Sequence, residues 1–255
     1  MGWGDDIITT SVVRRAYAQV KQKLVVGDGN TVRWSEVFEG NPKISREPFK
    51  GCYWVRTIKG NRPYIDYQKT TAARMAFRND FRVEPGELFL AEHETSPYSK
   101  YRDFVYIEPN VKGSFSGNKD WGFENWQKMV DGLPDIRFVQ GPGRKLEGVT
   151  QVATKTIRHA FGLLSQCRYF AGTDGALHHA AAALGKRAVV VWGGLVSPKI
   201  LGYSTHINLH SGTHSCGSQA ACDHCKQAMR WVTVDKVIES IRRLDEESRR
   251  GVVAG

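Results

Sequence analysis

From residue 104 onward, short apolar runs alternate with segments of helical spacing, and this alternation limits the folds open to the chain. FVYIEP (104–109), IRFVQGP (136–142), RYFAGT (168–173) and AVVVWGG (188–194) read as strands. Between them lie WGFENWQKMVDGL (121–133), TIRHAFGLLSQC (156–167) and DGALHHAAAALG (174–185), which read as helices, and VDKVIESIRRLDEESRR (234–250) reads as a last one. Strand and helix alternate at this length in parallel sheets, which carry helices on both faces. The fold class is α/β.

The first hundred residues read less regularly. A helix is expected over about 6–22, a strand over KLVVG (23–27), and a short WSEVFEGNP segment closed by Asn41 and Pro42. TSPYSKYRD supplies polar linker composition near residue 98. The expected organisation is therefore two Rossmann-like lobes with parallel sheets, residues 1–98 and 99–255, with a cleft between them.

Charge is unevenly distributed. Residues 43–82 carry ten basic side chains against three acidic ones, which is +7 of the net +10. Such a concentration favours an anionic partner: nucleic acid, a phosphorylated glycan or a membrane face. No apolar stretch has the length of a membrane span, and the opening residues lack the apolar segment of a secretory signal. Five cysteines are too few, and odd in number, for a disulfide scaffold. A reducing, cytoplasmic setting is the expectation.

In an open α/β lobe, ligands lie beyond the carboxyl ends of the strands, where loops feed helix N-termini whose N–H groups attract phosphate. Loops 2–6, 110–120 and 172–179 hold that position. In the third, Asp174 is the expected N-cap, and Gly175 and Ala176 leave the backbone uncovered. DGALHHAAAALG resembles the D-S/T-G-x-x-H-x-A-A-A-L-G stretch of the heptosyltransferase-like glycosyltransferases (glycosyltransferase family 9). Asp174, His179, Leu184 and Gly185 fall in register. Gly175 and Ala176 depart from it, so the family's hydroxyl must be replaced by Thr173 or by the backbone.

NKDWGFENW is similar to the family's K-x-W-P-x-E-x-W segment and places Lys119 where the family keeps a lysine near the donor's diphosphate. The opening GWGDDIITT resembles the family's G-x-G-D loop, with Asp5 at the position of its proposed catalytic base. The family has a strand leading into that loop. None stands ahead of it here, so a reduced, GT-B-like N-terminal lobe is expected.

The resemblance implies inverting transfer from a nucleotide-sugar donor, with Asp5 as base. Lys119, Thr173, Asp174, Gly175, Ala176 and His179 would bind the donor, and its nucleoside would lie along GPGRKLEG from Gly141. No cofactor would be required for catalysis. The acceptor would meet the basic block, where Arg56, Lys59, Arg62 and Tyr64 are the candidates and cations alternate with Tyr53, Trp54, Tyr67, Phe77 and Phe81. A lipopolysaccharide-type saccharide and a hydroxylated base in DNA suit that chemistry equally. A sugar-nucleotide epimerase and a non-catalytic nucleic-acid-binding protein are the alternatives from other classes.

Cys216, Cys222 and Cys225 have C-x5-C-x2-C spacing, with His210, His214 and His224 nearby. Three thiolates and one imidazole, here His214, make a structural zinc site chemically available, and free thiols are the alternative. Cys52 and Cys167 read as small hydrophobes.

Overall fold

The computed structural model describes residues 2–56, 62–111 and 117–253. Helix α1 (Trp3–Val20) comes first, followed by β1 (Leu24–Gly27), β2 (Ile44–Ser45) and β3 (Tyr53–Arg56). These strands form a three-stranded parallel sheet in the order β2-β1-β3. After α2 (Glu92–Thr95) the chain builds a second parallel sheet. Its elements are β4 (Val105–Glu108), α3 (Phe123–Asp131), β5 (Phe138–Gln140), β6 (Thr150–Gln151), α4 (Ile157–Gln166), β7 (Tyr169–Thr173), α5 (Ala176–Ala183), β8 (Arg187–Val191), α6 (Pro198–Leu201) and β9 (Ile207–Leu209). Helices α7 (Asp223–Arg230) and α8 (Val234–Val253) complete it.

The six strands run β6-β5-β4-β7-β8-β9, all parallel. The first strand of this half thus sits in the middle and the order reverses between β4 and β7, which opens a crevice at their carboxyl ends. Both faces are buried with the period of two that a strand imposes. Val105, Ile107, Tyr169, Ala171, Val189 and Val191 face α3 and α8, meeting Trp126, Met129, Val237 and Ile241. Tyr106, Phe170 and Val190 face the other way, onto Phe161, Leu164, Ala180 and Ala181.

That second core continues into the N-terminal half through Ile7, Ile8 and Val13 of α1, together with Leu24 and Val26 of β1. Ala180 and Ala181 are fully buried, and their small side chains let α1 lie close against α5. Asp6 to Ser11 of α1 are all buried, so the helix is enclosed on several sides. Asp6 is accommodated by Arg33, whose Nη1 donates to it at 2.8 Å. Burial nevertheless pushes the Asp6 carboxyl above the usual range.

The helix begins at Trp3, not near residue 6 as the sequence suggests, so Gly4 and Asp5 lie in its first turn and not in a glycine loop. Asp5 accepts the Gly2 N–H at 3.1 Å, a favourable use of a carboxylate where helix N–H groups have no intrahelical acceptor. The segment 84–87 braces α1 from outside the sheet. A Cβ on Gly86 would lie 2.3 Å from the Ile7 carbonyl, the Glu87 N–H donates to Thr10 Oγ1 at 2.7 Å, and Arg14 pairs with Glu84.

Candidate active site

Three chain segments meet above the crevice. Gly4 lies so close to α5 that a Cβ there would stand 3.0 Å from His179 Cδ2 and 3.5 Å from Ala176 Cα. Asp5, one residue on, is therefore beside the start of α5. Its side chain is mostly covered: Arg62 Nε donates to Oδ2 at 2.9 Å and the Tyr64 hydroxyl to Oδ1 at 2.5 Å. Burial, with the Asp5 charge second, holds the Tyr64 phenol well above its ordinary range, so it stays protonated and donates. Arg62 and Tyr64, read from sequence as acceptor-binding, touch Asp5 directly.

On the facing side, Lys119 Nζ pairs with Asp174 Oδ2 at 2.5 Å, and the Asp174 side chain is only 5% exposed. Asp174 follows β7, with Thr173 as the last strand residue, and Gly175 is the N-cap of α5. The Gly175 N–H is taken, because it donates to His178 Nδ1 at 3.1 Å. That fixes the tautomer: His178 Nε2 carries the proton and donates to the Leu201 carbonyl at 3.2 Å. His179 Nδ1 meets the Tyr203 hydroxyl at 2.8 Å. Burial lowers the affinity of both imidazoles for protons, that of His179 more strongly, so both are neutral in the fold. N–H groups of the first turn, from Ala176 onward, have no acceptor within the helix.

Asp174, His178 and His179 bring their ligating atoms within 4.8 Å of one another and could hold a cation, although Lys119 already supplies one to Asp174. Gly141 stands at the carboxyl end of β5, where a Cβ would lie 2.9 Å from the Tyr106 hydroxyl. Arg56 ends β3 on the exposed surface, its guanidinium beside Gly29. Lys59 lies outside the described residues.

The basic block is less free than its composition implies. Lys43, Arg62, Lys69 and Arg78 pair with Glu87, Asp5, Asp66 and Asp80. Of its aromatics, Tyr64, Phe77 and Phe81 pack with the core, whereas Tyr53 and Tyr67 are about half exposed.

Glu108 is a candidate that sequence reasoning missed. It ends β4 at the crevice and its Oε1 accepts the Asn110 N–H at 2.9 Å. Burial raises its pKa to about 7. The only signal in the sequence was an acidic residue closing an apolar strand. Because the folded protein holds this proton more tightly than the unfolded chain, the associated stability is present at low pH and is lost as pH rises towards about 7. Between about pH 5 and about pH 8, wild type should lose about 3 kcal/mol relative to Glu108→Gln in denaturant unfolding. Parallel pH profiles for the two proteins would contradict this.

The cysteine segment folds beside the crevice. Cys216 Sγ lies 3.3 Å from Cys225 Sγ and 3.8 Å from Cys222 Sγ. His224, not His214, brings a ring nitrogen within 4.8 Å of the Cys216 and Cys225 sulfurs; exposed His214 lies against the His224 ring, centroids 4.7 Å apart. Cys167 is buried, which pushes its thiol up to about 12. A separate cavity of about 690 Å³ is lined by Trp34, Glu36, Arg46, Phe89, Glu94 and Arg158 among others, with none of the crevice residues in its wall. Among the described residues no helix is long and apolar enough to cross a membrane.

No family model and no curated protein sequence matches the chain. Solved structures do. The iron-containing dodecameric glycosyltransferase TibC from enterotoxigenic E. coli is 16% identical with a TM-score of 0.70, over 97% of this chain and 74% of that one. A glycosyl transferase family 9 protein from Veillonella parvula is 12% identical with a TM-score of 0.66, over 97% of this chain and 95% of that one. The E. coli ADP-heptose lps heptosyltransferase II gives 18% identity and a TM-score of 0.49, over 64% of this chain, which spans 54% of that protein's length. Two parallel sheets, the N-terminal one reduced to three strands, thus give this chain the fold of the family 9 glycosyltransferases over almost its whole length.

Proposed function

We propose that the protein is an inverting glycosyltransferase, moving a sugar from a nucleotide-sugar donor to a hydroxyl of an anionic acceptor. The observation that supports this reading is the close approach of Gly4 to Ala176 and His179, because it brings the first turn of α1, which carries Asp5, against the first turn of α5. The glycosyltransferases that share the fold make the same chemistry a natural use of the crevice.

In this reading Asp5 Oδ1, which among the described residues accepts from Tyr64, has a lone pair left for an acceptor hydroxyl. As that hydroxyl's proton passes to Asp5, its oxygen forms a bond to the anomeric carbon. The bond from that carbon to the diphosphate breaks, and the electron pair leaves on the phosphate oxygen. Lys119 and the N–H groups from Ala176 onward meet the charge that develops there. The donor's nucleoside lies along the loop that starts at Gly141. We infer that no metal takes part in this step, since Lys119 and the helix start supply the positive charge. Thr173, Asp174, Gly175 and His179 shape the donor side, and Arg62 and Tyr64, which hold Asp5, lie on the acceptor side. The division near residue 98 separates an acceptor half from a donor half, and a reducing, cytoplasmic setting suits the five free thiols.

The test is incubation with a panel of nucleotide sugars, following nucleoside diphosphate release with and without phosphorylated saccharides or DNA carrying hydroxylated bases. Release that depends on an acceptor supports the reading, and the modified acceptor's mass identifies the sugar. Isomerised donor would instead show an epimerase. No turnover, with salt-sensitive DNA binding, would leave a nucleic-acid-binding protein.

A further inference from the structure

We propose that Cys216, Cys222, Cys225 and His224 hold a structural zinc ion, and that this centre fastens the segments carrying Arg62, Tyr64 and Lys119 to the donor half. The local geometry suits the metal. Zinc–sulfur bonds of about 2.3 Å in a tetrahedron place neighbouring sulfurs about 3.7 Å apart. Cys216 Sγ lies 3.3 Å from Cys225 Sγ and 3.8 Å from Cys222 Sγ, Cys216, Cys225 and His224 bring their ligating atoms within 4.8 Å of one another with Cys222 joining through Cys216, and all five cysteines are free.

The imidazole gives an independent reason. Both ring nitrogens of His224 are buried, and among the described residues neither has a hydrogen-bond partner. Buried polar atoms are rarely left so, and one coordinate bond would account for one of them. The backbone makes room for this ring, because a Cβ on Gly194 would stand 2.5 Å from His224 Nδ1. His214 is exposed and lies against the same ring, so it shields the centre in place of ligating it. Three thiolates with one imidazole is a zinc ligand set, since soft sulfur and imidazole donors in a closed tetrahedron suit that ion.

The surroundings show why an ion is needed. Apart from Cys216 and Cys225, the cluster's buried core contains only Leu195, with Met75 and Cys222 partly buried against it. So small an apolar cluster contributes little to holding a loop. Yet two parts of the crevice hang from this loop. Asn118, the neighbour of Lys119, donates to the Ser218 and Ala220 carbonyls at 3.0 and 2.7 Å and accepts the Cys222 N–H at 2.9 Å. Met75 N–H donates to the Gly217 carbonyl at 2.7 Å, and Gln219 N–H to the Ala73 carbonyl at 3.0 Å. Residues 71–78 in turn hold the Asp5 partners: Arg78 N–H donates to the Tyr64 carbonyl at 2.9 Å, and Arg62 Nη1 reaches Met75 Sδ at 3.7 Å.

The proposal does not rest on glycosyltransferase activity, and its test reads none. Protein purified without chelator should contain one zinc per chain by elemental analysis. His224→Ala should lose it and His214→Ala should keep it, a pair that distinguishes ligand from neighbour. In the wild-type chain, stripping zinc with a thiol reagent and a chelator should raise amide exchange at Met75 and Gln219 about tenfold or more while β4, β7 and β8 keep their protection. Substoichiometric zinc, stoichiometric iron in its place, a Cys216–Cys225 disulfide by mass spectrometry, or zinc retained by His224→Ala would each overturn the assignment. Unchanged exchange at Met75 after stripping would overturn the fastening role.

Discussion

Asp5→Ala should lower acceptor-dependent release of nucleoside diphosphate by about 10²- to 10⁴-fold, the usual contribution of a positioned general base. The loss should fall on kcat, with donor affinity nearly unchanged, because the proposed function assigns Asp5 to the acceptor half. Asp5→Asn is the sharper variant. Its amide oxygen can accept from Arg62 in place of Oδ2 while its NH2 group donates to the Tyr64 hydroxyl in place of Oδ1, so the packing around it survives while the carboxylate is lost. Tyr64→Phe removes the donor on Oδ1 and should cost far less than Asp5→Asn, since it frees the carboxylate without removing it. Full activity in Asp5→Asn would remove Asp5 from the mechanism and return the role of base to the open question.

The second large effect is expected at Lys119. Its Nζ sits 2.5 Å from Asp174, whose side chain is 5% exposed, so Lys119→Ala strips a cation from the leaving-group side and leaves a buried carboxylate unpaired. The first loss should lower kcat by about 10²- to 10³-fold, as deleting one charge-stabilising donor does. The second should destabilise the fold by about 3 kcal/mol. A double variant separates them: Lys119→Ala with Asp174→Asn removes the unpaired charge and should recover most of the stability without recovering the rate. Recovery of both would mean that Lys119 serves only to neutralise Asp174.

These two residues also show how far the sequence could be read. Strand–helix alternation located the loops that open at the crevice, 2–6, 110–120 and 172–179, and within them the resemblance to the heptosyltransferase-like motifs singled out Asp5, Lys119 and Asp174. The helices at 123–131, 157–166 and 176–183 and the strands between them follow directly from periodic burial. The weak elements escaped. β6 has two exposed residues, β9 is three residues in a polar stretch, and α7 opens on the cysteines, so none carries enough apolar repeat to announce itself. The start of α1 was misplaced because two glycines imitate a turn, whereas Asp5 satisfies the Gly2 N–H and allows the helix to begin at Trp3.

What the sequence determined by itself was the α/β class, the parallel sheets and the loops that open at their carboxyl ends, since all of these are encoded in the spacing of neighbouring residues. The tertiary structure alone decided which groups surround Asp5. Arg62 and Tyr64 reach it from 57 and 59 residues away, and His224 displaces His214 at the thiols because Gly194 leaves space for its ring. Periodicity records which face of an element is buried. It does not record which distant element covers that face, because that depends on strand order and on the close approach of α1 to α5, which are settled only when the whole core closes.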